Sequence, residues 1–344
     1  MRGFSSVLPS VDTRYLPLIR PLGAVLERTS QRRSTGYALH QLTRFHAIPW
    51  LAAAIAVLLA LVFPEGLERN GQWAFLASAL VLGLPHGALD VLWPTKEWST
   101  LRTSGNYVRF ILSYVVLMAV MGLIWFWHTP AAFLLFLGLT AMHWGCGDFW
   151  PWPQRLGVTM ALALGKGLLV VGAPLAFHAA QVRTFTLMFS TGSLAEQDWR
   201  TTGIVLVCAA VVAQLVGSGY AKDQPRLLAL FEWCGLLVLA WILPAFAFIA
   251  LYFAWFHSFR HLLRVEALHE RIKAVKLLGV GMVVTILLIA MFLTWMFSAT
   301  EINLSLPNSL TAYFIALSIL TLPHALLVAA WDRRSWLRND RSTA

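Results

Sequence analysis

Five histidines lie inside or at the ends of apolar stretches: His86 in GLPHGALD, His143 in AMHWGCGD, His257 and His261 in FHSFRH, and His324 in TLPH. Ionisable side chains are costly in hydrocarbon and mark function there by default. Neutral imidazole is the commonest metal ligand, so histidines drawn from several helices suit a metal ion. His257 and His261 are four residues apart, on one helix face, and can share one ion. His86 and His143 supply the remaining ligands from two other helices. Asp90 and Asp148 follow His86 and His143 by four and five residues. A carboxylate that accepts the second ring N–H of a ligand fixes its tautomer and raises its basicity. Capping a helix end or pairing with loop arginines is the other role open to these aspartates.

The residues around these motifs carry further expectations. Lys166, in LGKGLL, reads as a side chain that snorkels to the inner interface. Arg260 either pairs with one of the aspartates or meets lipid headgroups. Glu232 opens a span and belongs at the interface, as do His40, His46, His128, His178 and His269. Gly83, Gly87, Gly145 and Gly147 allow close helix approach. Pro85 and Pro323 each precede a histidine and can kink a helix beside the site. Trp144, Phe149, Trp255 and Phe259 adjoin the motif histidines and could line a hydrophobic tunnel.

The elements that must position these side chains are membrane helices. The chain has 344 residues, 58% hydrophobic and 12% charged, against about 45–50% and 25% in soluble domains. The expected fold is all-α, a polytopic transmembrane bundle. A span needs about 20 apolar residues, which gives ten candidates near 46–63, 72–93, 107–127, 131–150, 157–180, 203–219, 227–243, 245–264, 275–298 and 309–331. The seventh and eighth form one apolar run, divided at Pro244; nine spans is the rival count. Residues 1–44 read as a basic cytoplasmic tail, 45–332 as the membrane catalytic domain and 333–344 as a second basic cytoplasmic tail.

Charge sets the orientation. Of 26 lysines and arginines, all but Arg69, Arg183 and Arg200 fall on one side of this ten-span plan. The positive-inside rule then puts both termini in the cytoplasm of a multi-pass inner (plasma) membrane protein. The net charge of +10 reads as topology, and no nucleic-acid partner is expected. Cys146, Cys208 and Cys234 form no CxxC pair. The motif histidines occupy the second, fourth, eighth and tenth spans, which all run inward. In each, the first histidine stands about 12–15 residues from the outer end, or about 18–22 Å, so the five share one layer.

Four neutral imidazoles suit a closed zinc site, whereas iron(II) prefers higher coordination with open positions. An apolar approach fits a lipid-soluble substrate. GLPHGALD, MHWGCGD, FHSFRH and TLPH, in this order, closely resemble the Brp/Blh family of membrane β-carotene dioxygenases, over roughly residues 75–330. The resemblance implies a non-haem Fe(2+) held by His86, His143, His257 and His261. It implies cleavage of the central double bond of β-carotene, or a related carotenoid, with O2 to give retinal. It leaves His324 beside the ligands or lining the cavity, with a ligand position also open to it, and groups it with Asp90 and Asp148 as site residues. The expected partners are the carotenoid, O2, membrane lipid and a retinal-binding rhodopsin as product acceptor. The rival readings are a desaturase-like oxidase, a bis-histidine haem protein and a transporter with a histidine-lined site.

Overall fold

Hydrocarbon offers backbone N–H and C=O groups no water, so an apolar segment satisfies them internally as a helix. In the computed structural model every described element is helical, and no strand occurs among the described residues. These are residues 43–91, 104–147, 156–187, 196–220, 224–268, 276, 278–283 and 306–342. Asp148, Phe149, His40, His269 and most of the expected ninth span lie outside them. The chain divides into two units, Met1–Ile48 and Pro49–Ala344. The described part of the first, 43–48, is helical; the candidate site lies wholly in the second.

Among the described residues, six helices are long and apolar enough to cross a membrane: Thr43–Val62, Gly105–Trp127, Thr129–Gly147, Leu156–Phe177, Gln197–Tyr220 and Leu310–Ala330. In chain order the elements are α1 (Thr43–Val62), α2 (Pro64–Ser78) and α3 (Leu84–Ala88). Next come α4 (Ser104–Trp127), α5 (Thr129–Gly147), α6 (Leu156–Phe177) and the short α7 (Ala179–Thr186). After these stand α8 (Glu196–Tyr220), α9 (Gln224–Ile242), α10 (Ala245–Leu251), α11 (Phe259–Leu268) and α12 (Leu306–Ser342). The expected second and eighth crossings are continuous helical paths interrupted by π turns, at Ala79–Gly83 between α2 and α3 and at Tyr252–Ser258 between α10 and α11. α12 runs on through the expected C-terminal tail as far as Ser342.

Pro244 separates α9 from α10 as its chemistry requires, with extended backbone at φ −52° and ψ 149°. The N–H of Ala245 donates to Gln181 Oε1 at 3.0 Å, and Gln181 Nε2 donates to Glu68 at 3.1 Å. The start of α10 is thereby satisfied from α7.

The α5–α6 contact is built on glycine at both ends. A Cβ at Gly145 would run into the Ala163 carbonyl, and one at Gly167 into the Ala141 carbonyl. Each helix presses its glycine on the other's backbone, as close packing in membranes demands. His143 stands between Ala141 and Gly145, so this crossing sets its depth. We predict that Gly145→Ala lowers stability by about 1–3 kcal/mol through overpacking. Gly138→Ala on the same helix, where a Cβ meets open space, should be neutral or stabilising. Thermal melts of the two variants in detergent check this difference.

Candidate metal centre

Irregular helix geometry places three of the site histidines. Pro85 has no N–H to give the ladder, and its ring crowds the preceding turn; the π turn Ala79–Gly83 lies immediately before α3. A π turn takes up one extra residue, which rotates the residues beyond it by about 100° relative to an unbroken α-helix. His86 lies just past that turn. His257 lies inside the second π turn and His261 just after it, on α11. The two π turns meet where Gly83 faces Phe253: a Cβ on Gly83 would overlap the phenyl ring.

The five rings form one cluster. Ring centroids of His86 lie 5.1 Å from His257, 5.2 Å from His261 and 5.1 Å from His324. His143 is 4.7 Å from His257 and 4.6 Å from His324, and His261 is 5.4 Å from His324. The five residues are between 2% and 6% exposed. His86, His143, His257 and His324 each offer a ligand atom within 4.8 Å of the others. His261 adjoins this set across His86 and His324. Phe253 and Trp144 close one wall, with Phe253 6.0 Å from His86 and Trp144 5.7 Å from His257. Trp255 and Phe259, expected as lining, pack on each other at 5.8 Å.

The carboxylate of Asp90 serves a different ring from the expected one. His324 Nδ1 lies 2.9 and 2.8 Å from its two oxygens, and the Tyr114 hydroxyl donates to Oδ2 at 2.9 Å. His86, four residues before Asp90, instead uses Nδ1 against the Leu82 carbonyl at 3.2 Å. In both rings the outer nitrogen is engaged, so Nε2 is left facing the cluster. Tyr114 has no signature in the sequence, because its partner is 24 residues away on another helix.

Two expectations about charged neighbours are corrected: Lys166 does not snorkel, and Glu232 does not sit at the interface. Arg260 is buried on Glu232 and away from lipid, while Asp148, one of its two expected aspartate partners, lies outside the described residues. Lys166, Glu232 and Arg260 are buried together. Arg260 grips Glu232 with two hydrogen bonds of 2.8 and 2.7 Å, and Lys166 donates to the same Oε1. The Arg260 guanidinium also lies 5.1 Å over the Phe256 ring. Hydrogen-bonded mutual neutralisation outweighs the reach to the interface here, because burying any one of these charges alone is far costlier. The triad ties α6, α9 and α11 together beside His261. Nearby, Arg264 donates to the Gly147 carbonyl at 3.0 Å and holds the end of α5.

The donor chemistry fits a metal. Nε2 of His86, His143 and His324 is buried with no hydrogen-bond partner among the described residues, which costs about 1–3 kcal/mol for each such group. A cation shared by the rings supplies the missing partner for all of them, and Asp90 contributes negative charge close by. A bis-histidine haem does not fit: rings stacked edge to face at about 5 Å leave no room for a macrocycle between ligands.

Similarity to known proteins agrees with this chemistry. A family model described as beta-carotene 15,15'-dioxygenase matches residues 77–332. The beta-carotene 15,15'-dioxygenase of uncultured marine bacterium 66A03 is 27% identical over 263 residues, covering 75% of this chain and 92% of the relative. The probable beta-carotene 15,15'-dioxygenase Blh of Halobacterium salinarum is 27% identical over 326 residues, covering 83% and 92%. No solved structure matches the chain.

The geometry makes two predictions. Asp90→Asn should weaken metal affinity about 10–100-fold, the usual result of losing a carboxylate behind a ligand, with Tyr114→Phe acting in the same direction and less strongly; metal titration of the purified protein measures both. Glu232→Ala leaves two buried cations without their carboxylate and should destabilise the fold by about 3–5 kcal/mol, read as a collapse of thermal stability.

Proposed function

This chain belongs to the β-carotene 15,15'-dioxygenase family, and on that footing we propose that it is an iron enzyme of the membrane that cleaves the central double bond of β-carotene or a close relative. One polyene and one O2 give two molecules of retinal. Both oxygen atoms end in the aldehydes, and no outside reductant is needed. The observation that carries the reading is the buried cluster of His86, His143, His257 and His324, in which Nε2 of His86, His143 and His324 has no hydrogen-bond partner among the described residues. The bacterial and haloarchaeal relatives carry the same activity in their names.

In this reading His86, His143, His257 and His324 hold the ion, and His261 is the fifth imidazole beside it. When bound, iron(II) supplies the oxygen chemistry that no side chain here can perform. Asp90 holds His324 in the tautomer that turns Nε2 inward, and Tyr114 holds Asp90. Phe253 and Trp144 exclude water from the rings and present apolar surface to the polyene. Gly83 lets Phe253 come close enough to do so. The Glu232 triad keeps α11 seated against α6 and α9, which fixes the height of His261. The protein contributes position and a dry site. A multi-pass inner-membrane location suits a substrate that partitions into lipid, and the six long apolar helices support that location.

Expression in cells that accumulate β-carotene tests the function. The expected outcome is loss of the carotenoid and appearance of retinal in extracts, with His143→Ala leaving the pigment intact. Intact β-carotene alongside folded, iron-loaded wild-type protein would reject this substrate.

A further inference from the structure

One carboxylate behind the rings serves two donors. Asp90 is 2% exposed, and its partners among the described residues are the His324 ring and the Tyr114 hydroxyl. No lysine or arginine pairs with it there; Lys166 and Arg260 are both bonded to Glu232. The buried negative charge therefore has two outlets, an imidazole N–H and a phenol O–H. An ionised carboxylate only accepts hydrogen bonds. The neutral His324 ring thus carries its proton on Nδ1, and its Nε2 lone pair is free for the cluster.

His86 is held differently. Its Nδ1 faces the neutral Leu82 carbonyl at 3.2 Å, whereas His324 meets the carboxylate at 2.9 and 2.8 Å. Hydrogen bonds to an ionised acceptor are shorter and about twice as strong as neutral ones, and a carboxylate behind a ligand raises its basicity. His324 is therefore the stronger electron donor of the two. Tyr114 works against this. Its hydroxyl donates at 2.9 Å to Oδ2, which also faces Nδ1. Two donors on one carboxylate each draw charge away from the other. The phenol comes from α4, a separate helix from the 3-10 turn of Asp90 and from α12. Phenylalanine at this position would leave the whole carboxylate to His324.

We propose that Asp90 and Tyr114 set the donor strength of His324 toward the metal in opposite directions: the carboxylate raises it, and the phenol tempers it. Both are positioning residues that act through His324. A stronger donor favours iron(III) over iron(II), so the pair governs the balance between the two states through hydrogen bonds behind the ligand. The inference rests on the iron reading of the histidine site and deepens it.

The test is a mediated redox titration of the iron-loaded protein in detergent, for wild type, Asp90→Asn and Tyr114→Phe, followed by the EPR signal of high-spin iron(III). Loosening of the site weakens metal affinity in both variants, and by itself it moves both potentials the same way or not at all. The expected result is a split. Asp90→Asn keeps an oxygen that accepts from Nδ1–H but loses the charge. It lowers the preference for iron(III) about tenfold, a rise of about 59 mV for a one-electron couple. Tyr114→Phe raises that preference about threefold, the scale of a modest hydrogen bond, so its potential falls. Tyr114→Phe retains every imidazole and the carboxylate, so the sign of its shift decides the proposal even where Asp90→Asn holds no iron. A rise or no shift in Tyr114→Phe overturns the proposal, as does a fall in Asp90→Asn. Cleavage of β-carotene by iron-loaded wild type without the split sinks this inference alone. The split in a protein that leaves β-carotene intact sinks the carotenoid reading alone. Folded wild type without stoichiometric iron overturns both.

Discussion

An imidazole nitrogen inside hydrocarbon must have a partner, and that requirement organises this bundle. His86, His143 and His324 bring Nε2 atoms to one buried place with no partner among the described residues. A protein could relieve each one with a local carbonyl, as His178 does with the Ala240 carbonyl at 3.0 Å. Here the outer nitrogen of His86 meets the Leu82 carbonyl and that of His324 the Asp90 carboxylate, and the inner ones are kept for a common guest. The irregular features near the site serve that arrangement. The π turns rotate His86 and His257 inward, Gly83 lets the turns meet, and the paired glycines of α5 and α6 hold His143 at the same depth.

Two polar clusters lie near each other in the membrane domain, and they differ in kind. The Glu232, Lys166 and Arg260 group satisfies itself: the carboxylate accepts from both cations and the guanidinium covers an aromatic face. It acts as a brace among three helices. The histidine group leaves nitrogens open and is built to bind. Asp90 belongs to the second cluster, since its charge is spent on His324 and Tyr114.

Much of this is legible in the sequence, for physical reasons. The expected order of spans puts His86, His143, His257, His261 and His324 at one depth, and the rings do meet. Pro244 divides the long apolar run as a residue without an N–H must. What the sequence hides is anything that depends on rotation about a helix axis. Asp90 lies four residues after His86, a spacing that suggests pairing with that ring; the π turn and the 3-10 turn at Leu89–Val91 accompany its pairing with His324 on a distant helix. Lys166 and Glu232 read as interfacial charges and Arg260 as a partner for an aspartate or for lipid headgroups, because their partners are 28 to 66 residues apart and only the packed bundle shows that they neutralise one another. The expectation that His257 and His261 share one ion rests on regular α spacing, and the π turn across His257 changes that spacing.

The claim on which the rest stands is that these imidazoles hold one iron. X-ray absorption at the iron edge, combined with metal analysis of protein purified from iron-replete membranes, tests it most directly. The account predicts about one iron per chain, in a shell of nitrogen and oxygen neighbours with the outer scattering of several imidazoles and no sulfur. Protein that is folded yet binds no stoichiometric metal, or that shows the intense visible band of a haem, would contradict it.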